Sequence, residues 1–204
     1  MLVDTIESYV RFVLDYDLEL IEQQGNITVL ECERKHLMTP LTIGGESFNF
    51  SYTPDRIDRL ADGTVRIVDY KTGKDETTFT NRDRLDDLFN NTKKDRRKAI
   101  LQIFLYSYAY LTEHPEVKSV MPVIYKLSSM KSSGVKMKED RRGAQPSQYV
   151  FSMDDPVAQV FAERMGETVK GLYEEDFIQT PENAKWCNFC RFVDLCRRTP
   201  TKFW

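Results

Sequence analysis

Apolar positions recur at helical spacing in three stretches of the chain, with β-like runs between them. From Asp4 to Gln23, the residues Ile6, Val10, Val13, Leu14, Leu18 and Ile21 fall at helical steps. This predicts an amphipathic helix, which Gly25-Asn26 stops. Ile27 to Leu41 is β-rich and predicts a strand with Thr28, Leu30 and Cys32 on one face. Ile43-Gly44-Gly45-Glu46 reads as a turn, Ser47 to Leu60 as the next strand and Thr64 to Lys71 as the third. Thr72 to Lys94 is polar and irregular, a long excursion with some helix. Arg96 to Glu113 predicts a helix that is apolar on most sides from Ile100 to Leu111 and therefore buried; His114-Pro115 ends it. Val117 to Leu127 predicts a strand, and Tyr149 to Met153 a short one. Between them, Ser128 to Gln148 is rich in Ser, Gly, Lys and Arg and is expected to be a mobile loop. Pro156 to Tyr173 predicts a further amphipathic helix, with Val157, Val160, Phe161, Met165, Val169 and Leu172 on one side and Pro at its start. The order of helix, three strands, buried helix, strand and helix defines an α/β (α+β) layered domain.

Composition narrows the class. With 41% hydrophobic and 30% charged residues in 204, the chain can bury a core and is not globally disordered. A net charge of -3 gives no general attraction to nucleic acid, although basic residues need line only one face of a DNA enzyme. No apolar run approaches the roughly 20 residues that span a bilayer, and Met1 to Glu7 carries no signal-peptide pattern. Three of the four cysteines, Cys187, Cys190 and Cys196, cluster near the C-terminus, while Cys32 stands apart. That clustering points to metal ligation in a reducing compartment, the cytoplasm, rather than to a disulfide framework.

The densest chemistry lies between Pro54 and Gly73. Asp62-Gly63 between two β-like runs is a hairpin signal. If the loop is Ala61-Asp62-Gly63 with Gly63 in the left-handed region, Leu60 faces Thr64, Asp58 faces Arg66 and Asp55 faces Asp69. Asp55 and Asp69 then share a face with Cβ atoms roughly 5 Å apart, and Lys71 lies on that face too. Two opposed carboxylates repel unless a cation lies between them, and Mg²⁺ or Mn²⁺ suits such oxygen donors. Asp58 paired with Arg66 on the other face reads as structural. The alternative is that Asp55, Asp69 and Lys71 form an ordinary salt-bridged surface.

Asp55-Arg56-Ile57-Asp58, a turn, and Ile67-Val68-Asp69-Tyr70-Lys71-Thr72-Gly73 resemble the core of the PD-(D/E)xK nucleases. The likeness is closest to the RecB/AddB branch, and within it to the C-terminal nuclease domain of AddB-like helicase–nuclease subunits. The resemblance implies a restriction-endonuclease-like core with a central mixed sheet, an antiparallel acidic hairpin and flanking helices. It implies that Asp55, Asp69 and Lys71 are catalytic, with Asp55 and Asp69 holding Mg²⁺ or Mn²⁺ for cleavage of DNA phosphodiesters. Gln102 and Tyr106 resemble the family's Gln-x-x-x-Tyr motif, and their spacing places both on one helical face. Cys187-x-x-Cys190-x5-Cys196 is similar to the last three cysteines of the iron–sulfur staple in AddB-type nucleases, which implies a [4Fe–4S] cluster in a full-length parent. The family has an aliphatic residue just before its first Asp, where this chain has Pro54; Asp58, preceded by Ile57, is thus a rival ligand.

The family's upstream acidic or His-bearing helix and its fourth cysteine do not precede Asp4, and Cys32 lies in the wrong place for that cysteine. Residues 1–204 are therefore expected to form a single nuclease domain lacking its N-terminal part, with 181–204 a Cys-rich tail. Such a fragment is expected to be weakly active or inactive. Basic residues at Lys93, Lys94, Arg96, Arg97 and Lys98, and at Lys131, Lys136, Lys138, Arg141 and Arg142, could meet phosphate or simply be solvated. His36 reads as an ordinary strand residue and His114 as suited to a helix C-terminus. The implied function is exonuclease-type DNA cleavage in recombinational repair, with DNA and a helicase subunit or domain as partners and no membrane. Two other readings stand beside it: a non-catalytic DNA-binding or scaffold module that keeps the fold, and a metal-binding interaction domain centred on the cysteines.

Overall fold

The computed structural model describes residues 2–33, 37–43, 46–73, 77–80, 85–89, 97–129, 131–138, 143, 145–174, 187 and 190–196. Helix α1 (Leu2–Gln24) opens the chain and ends at Gly25, whose N–H donates to Ile21 O at 2.9 Å. Gly25 has φ 88°, a left-handed cap that disfavours a side chain, and a Cβ there would meet Ala61 Cβ at 2.9 Å. The helix end is thus seated against the tip of the hairpin that follows.

The strands come next: β1 (Thr28–Cys32), β2 (Leu37–Ile43), β3 (Glu46–Tyr52), β4 (Arg56–Arg59) and β5 (Val65–Lys71). They are followed by β6 (Thr78–Thr80), a short helix α2 (Asp86–Phe89) and α3 (Lys98–Glu113). Then come β7 (Ser119–Lys126), a 3-10 turn at Leu127–Ser129, β8 (Lys131–Gly134), β9 (Lys136–Lys138), β10 (Ser147–Gln148), β11 (Phe151–Ser152) and α4 (Pro156–Glu174). The central sheet has the order β1-β4-β5-β7-β11, with β8 also paired to β7. It is mixed: β5 and β7 run parallel, because α3 carries the chain back between them, while β4–β5, β1–β4, β7–β8 and β7–β11 are antiparallel. Two small sheets flank it, β2–β3 and β10-β9-β6.

Alternation along β5 and β7 sorts side chains to the two faces of the sheet. Val65, Ile67, Val120 and Ile124 face α3 and join a core with Ile100, Ile103 and Phe104. Phe104 packs against Phe79, Tyr149, Phe151 and Phe161 at centroid distances of 5.2 to 5.8 Å, so an aromatic cluster fills the space beneath α3 and α4. Val68, Val123 and Tyr125 take the other face, where Tyr9, Phe12, Val13 and Tyr16 of α1 cover them. This is the restriction-endonuclease-like arrangement expected from the sequence.

Several local expectations change. The segment Ile27 to Leu41 divides into β1 and β2, and Ser47 to Leu60 into β3 and β4 with a break at Thr53 to Asp55. As a result β2 and β3 form their own hairpin, pinned to α3 through Leu41, Tyr52 and Ala109, with Tyr52 OH donating to Glu113 Oε2 at 2.6 Å. On α1 the stripe of Ile6, Val10, Leu14 and Leu18 is exposed, and it is the aromatic side at Tyr9, Phe12 and Tyr16 that packs on the sheet. Both stripes have helical spacing; the larger rings bury more area and win the sheet. The stretch expected as a loop, Ser128 to Gln148, carries β8, β9 and β10, because buried Val135 ties it into the core. Phe161 and Val157 of α4 are buried as predicted, whereas Leu172 is exposed.

By its internal contacts the chain divides into two compact units, residues 1–167 and 168–204. The second holds the end of α4 and three of the four cysteines, Cys187, Cys190 and Cys196, with Cys196 N–H donating to Phe192 O at 3.0 Å. No helix among the described residues is long and apolar enough to cross a membrane.

Candidate active site

The site is built on the β4–β5 hairpin. Its pairs are Arg56 with Val68, Ile57 with Ile67, Asp58 with Arg66 and Arg59 with Val65. Leu60 N–H donates to Thr64 O at 2.9 Å, and Gly63 has φ 90°, the left-handed position the three-residue loop requires. Asp62 closes the turn by accepting from Thr64 N–H at 2.8 Å, and the bonds from Thr64 hold its carboxyl below the usual carboxylate range. One step beyond the last pair, Asp55 comes abreast of Asp69 and Tyr70, and its Oδ2 accepts from Tyr70 N–H at 2.7 Å.

Asp69 and Lys71 follow Val65 and Ile67 on the α3 face, while Asp55 sits in the bend just before β4 and is placed by its bond from Tyr70 N–H. Asp69 is 2% exposed, and Lys71 Nζ reaches its Oδ2 at 2.9 Å. The same ammonium donates to Gln102 Oε1 at 2.8 Å, and Gln102 Nε2 donates to Tyr106 OH at 2.7 Å. Gln102 and Tyr106 lie one helical turn apart on α3, so both meet the end of β5. Asp69, Lys71, Gln102 and Tyr106 thus form one chain of polar contacts beside the half-buried Asp55.

Asp58 belongs elsewhere. It is fully buried on the α1 face and accepts two bonds from Arg66, at 2.6 and 2.8 Å. Arg56 Nε lies 2.7 Å from Asp58 Oδ2, an oxygen that Arg66 also bonds, and Arg56 also forks onto Asp17 of α1 at 2.5 and 2.9 Å. Tyr125 OH donates to Asp17 at 3.1 Å. Burial works against the Arg56 and Arg66 charges, but the bonds to Asp17 and Asp58 outweigh it and hold both guanidinium groups above their ordinary range. Removing one partner of such a buried network costs about 3–5 kcal/mol, because the others keep their charge without a counter-ion. Asp17 and Tyr70 were not singled out from the sequence. Asp17 is distant in sequence from Arg56, and Tyr70 contributes a backbone group that any residue type would supply.

A group that takes a divalent cation must offer hard oxygen ligands and leave room for water and phosphate. Asp55 and Asp69 supply two carboxylates at the same end of the hairpin, and Tyr70 N–H fixes one oxygen of Asp55 while a second oxygen remains to be shared. No cluster of three or more His, Cys, Asp or Glu that could hold a metal ion occurs among the described residues. Mg²⁺ is held by one or two carboxylates and completes its shell with water and substrate, so the donor set fits. The cysteines do not fit a cluster in the same way. A four-thiolate cluster needs one more ligand than Cys187, Cys190 and Cys196 provide, and the three do not converge into a ligand group.

An apolar cleft of about 280 Å³, lined by Tyr9, Val10, Val13, Leu14, Tyr70 and Leu127, lies on the α1 face, away from these polar groups. Of the basic residues, Lys93, Lys94, Arg96, Arg141 and Arg142 fall outside the described residues, as does His36. Arg97 and Lys98 open α3, and Lys131, Lys136 and Lys138 lie in β8 and β9. His114 caps α3, its N–H donating to Tyr110 O at 2.9 Å.

The mixed sheet, the acidic hairpin and the helix that covers them define a nuclease-type α/β domain. The sequence matches the PD-(D/E)XK nuclease superfamily over residues 2–197, and the chain belongs to that superfamily. Comparison with curated proteins gives no match. Among solved structures it is similar to the one described as "Crystal structure of SSO0001", with 14% identity, 92% of this chain and 68% of that chain covered, and a TM-score of 0.37.

Proposed function

We propose that the chain is a Mg²⁺- or Mn²⁺-dependent deoxyribonuclease of exonuclease type, from the RecB/AddB branch, acting in recombinational DNA repair beside a helicase subunit or domain. The observation that supports it is the chain of contacts from Asp69 through Lys71 to Gln102 and Tyr106 of α3, at the end of the hairpin where Tyr70 holds Asp55. In this reading Asp55 and Asp69 hold the metal. When bound, it would supply a water of lowered pKa and polarise the scissile phosphoryl oxygen. Lys71, kept beside Asp69 and steered by Gln102, places its ammonium where negative charge grows on the phosphate. Tyr106 fixes the Gln102 amide, so the lysine is positioned before substrate arrives. Tyr70 N–H keeps the Asp55 carboxylate turned toward its partner acid.

The test is cleavage of end-labelled linear DNA with and without Mn²⁺, by the chain and by Lys71→Ala. Metal-dependent cleavage that Lys71→Ala lowers by about 10²–10³ fold supports the reading. DNA binding with no cleavage at any metal concentration would favour a non-catalytic DNA-binding module that retains the fold.

A further inference from the structure

β5 and β7 run parallel, and their register sets Asp69 beside Ile124 and Lys71 beside Lys126. Register neighbours in a parallel pair point to the same face of the sheet. The preceding rungs confirm which face it is, since Val65 and Val120 both enter the core beneath α3. Lys126 therefore stands on the face of Asp69, one strand over, at a spacing of roughly 4.8 Å between backbones. Ser128 Oγ donates to Gly73 O at 2.9 Å, which ties together the segments that leave the two strands.

The two lysines differ in their surroundings. Lys71 is held by Asp69 and Gln102, whereas Lys126 is half-exposed and pairs with no carboxylate among the described residues. Like charges on neighbouring strands repel, by up to about 1 kcal/mol, unless an anion lies between or above them. Two adjacent strands, β5 and β7, thus carry lysine on the same rung, at the end of the sheet where the acid pair lies. An acid pair flanked by lysines on two neighbouring strands suits a chain of phosphates better than a single small anion.

We infer that Lys126 is a phosphate-binding residue, contacting the nucleic-acid backbone at a phosphate next to the one beside Asp55 and Asp69. The inference rests on the proposed function and adds to it the path by which the strand leaves the site, across β7.

Equilibrium binding of a labelled single-stranded oligonucleotide, measured in EDTA over a range of salt concentrations, tests it. The proteins are the full chain, Lys126→Ala, Lys126→Arg and Lys118→Ala; Lys118 is an exposed lysine just before the other end of β7. Loss of one phosphate contact lowers the slope of log K against log salt by about 0.7 for a single strand, or about 0.9 for a duplex. The expected result is that reduction, with several-fold weaker binding, for Lys126→Ala; the slope returns with Lys126→Arg and does not move with Lys118→Ala. An unchanged slope for Lys126→Ala overturns the inference, as does an equal change for Lys118→Ala. If the chain cleaves DNA with metal but the slope is unmoved, only Lys126 is misassigned. If it neither binds nor cleaves DNA, the proposed function falls and this inference with it.

Discussion

Tyr70 donates its backbone N–H to Oδ2 of Asp55 at 2.7 Å, so the residue between Asp69 and Lys71 clamps the acid on the opposite strand. One face of β5 thus presents Asp69 and Lys71, while its backbone orients Asp55. The same strand's other face carries Arg66 onto Asp58. The two aspartates of the Asp-Arg-Ile-Asp segment therefore do different work, one held by the backbone of β5 and the other bonded to the arginines that reach Asp17 of α1.

Replacing Asp58 by Asn should destabilise the fold by about 3–5 kcal/mol, because Arg66 loses the carboxylate it grips and Asp17 alone is left to balance two buried guanidinium groups. Asp55→Asn, at a half-exposed position and still able to accept from Tyr70, should cost about 1 kcal/mol or less. Urea unfolding of the two variants gives the comparison; equal losses would mean that the network on the α1 face is not holding the sheet.

Gln102→Ala should leave metal affinity unchanged and slow cleavage by about tenfold or more, since Lys71 loses the acceptor that steers it. Tyr106→Phe should act in the same direction with a smaller effect, because only the far end of the relay is lost. Single-turnover rates at saturating Mn²⁺ separate these from binding defects. A metal-affinity loss in Gln102→Ala would place that residue among the ligands instead.

Gly25→Ala should be more damaging than Gly63→Ala. Both glycines are left-handed, and Ala there costs about 1–2 kcal/mol from the backbone alone. At Gly25 the new methyl also meets Ala61 Cβ at 2.9 Å, whereas nothing lies within 4 Å at Gly63. Thermal melts that rank the two in the opposite order would contradict the seating of α1 on the hairpin tip.

Tyr52, Tyr125 and Tyr149 should stay protonated at pH values where exposed tyrosines have ionised. Burial is the largest cause for each, reinforced for Tyr52 by the bond to Glu113 and for Tyr149 by Asp155, and opposed for Tyr125 by Arg66. Their folded values lie above the unfolded value of 10.0, so the stability they contribute is complete below about pH 10 and declines as pH rises toward the folded values. Tyrosinate absorbance across an alkaline titration should therefore show an early exposed fraction and a later one coincident with unfolding. A single transition near pH 10 in the folded protein would show that these rings are not buried.

Much of the site was legible in the sequence because a hairpin converts spacing into facing pairs. With Gly63 in the left-handed position, the Asp58–Arg66 pair follows from alternation alone. Gln102 and Tyr106 were legible through the helical repeat, but their link to Lys71 depends on how α3 crosses the sheet, which no local pattern encodes. The buried side of α1 was misread because its aliphatic stripe and its aromatic stripe have the same period, and only packing chooses between them. Asp17 was invisible for the related reason that its partner Arg56 is far along the chain. The separation of β2 and β3 into their own hairpin depends on their packing against Ala109 and Tyr106, again a tertiary matter.

Calorimetric titration of Mn²⁺ into the chain, Asp55→Ala, Asp69→Ala and Asp58→Asn tests the central assignment most directly, with circular dichroism to establish that each variant is folded. The expected result is binding by the parent chain that is lost in Asp55→Ala and Asp69→Ala, and kept by whatever fraction of Asp58→Asn remains folded. Binding that survives in folded Asp55→Ala or Asp69→Ala, or that disappears in folded Asp58→Asn, would contradict a metal site on the α3 face of the hairpin.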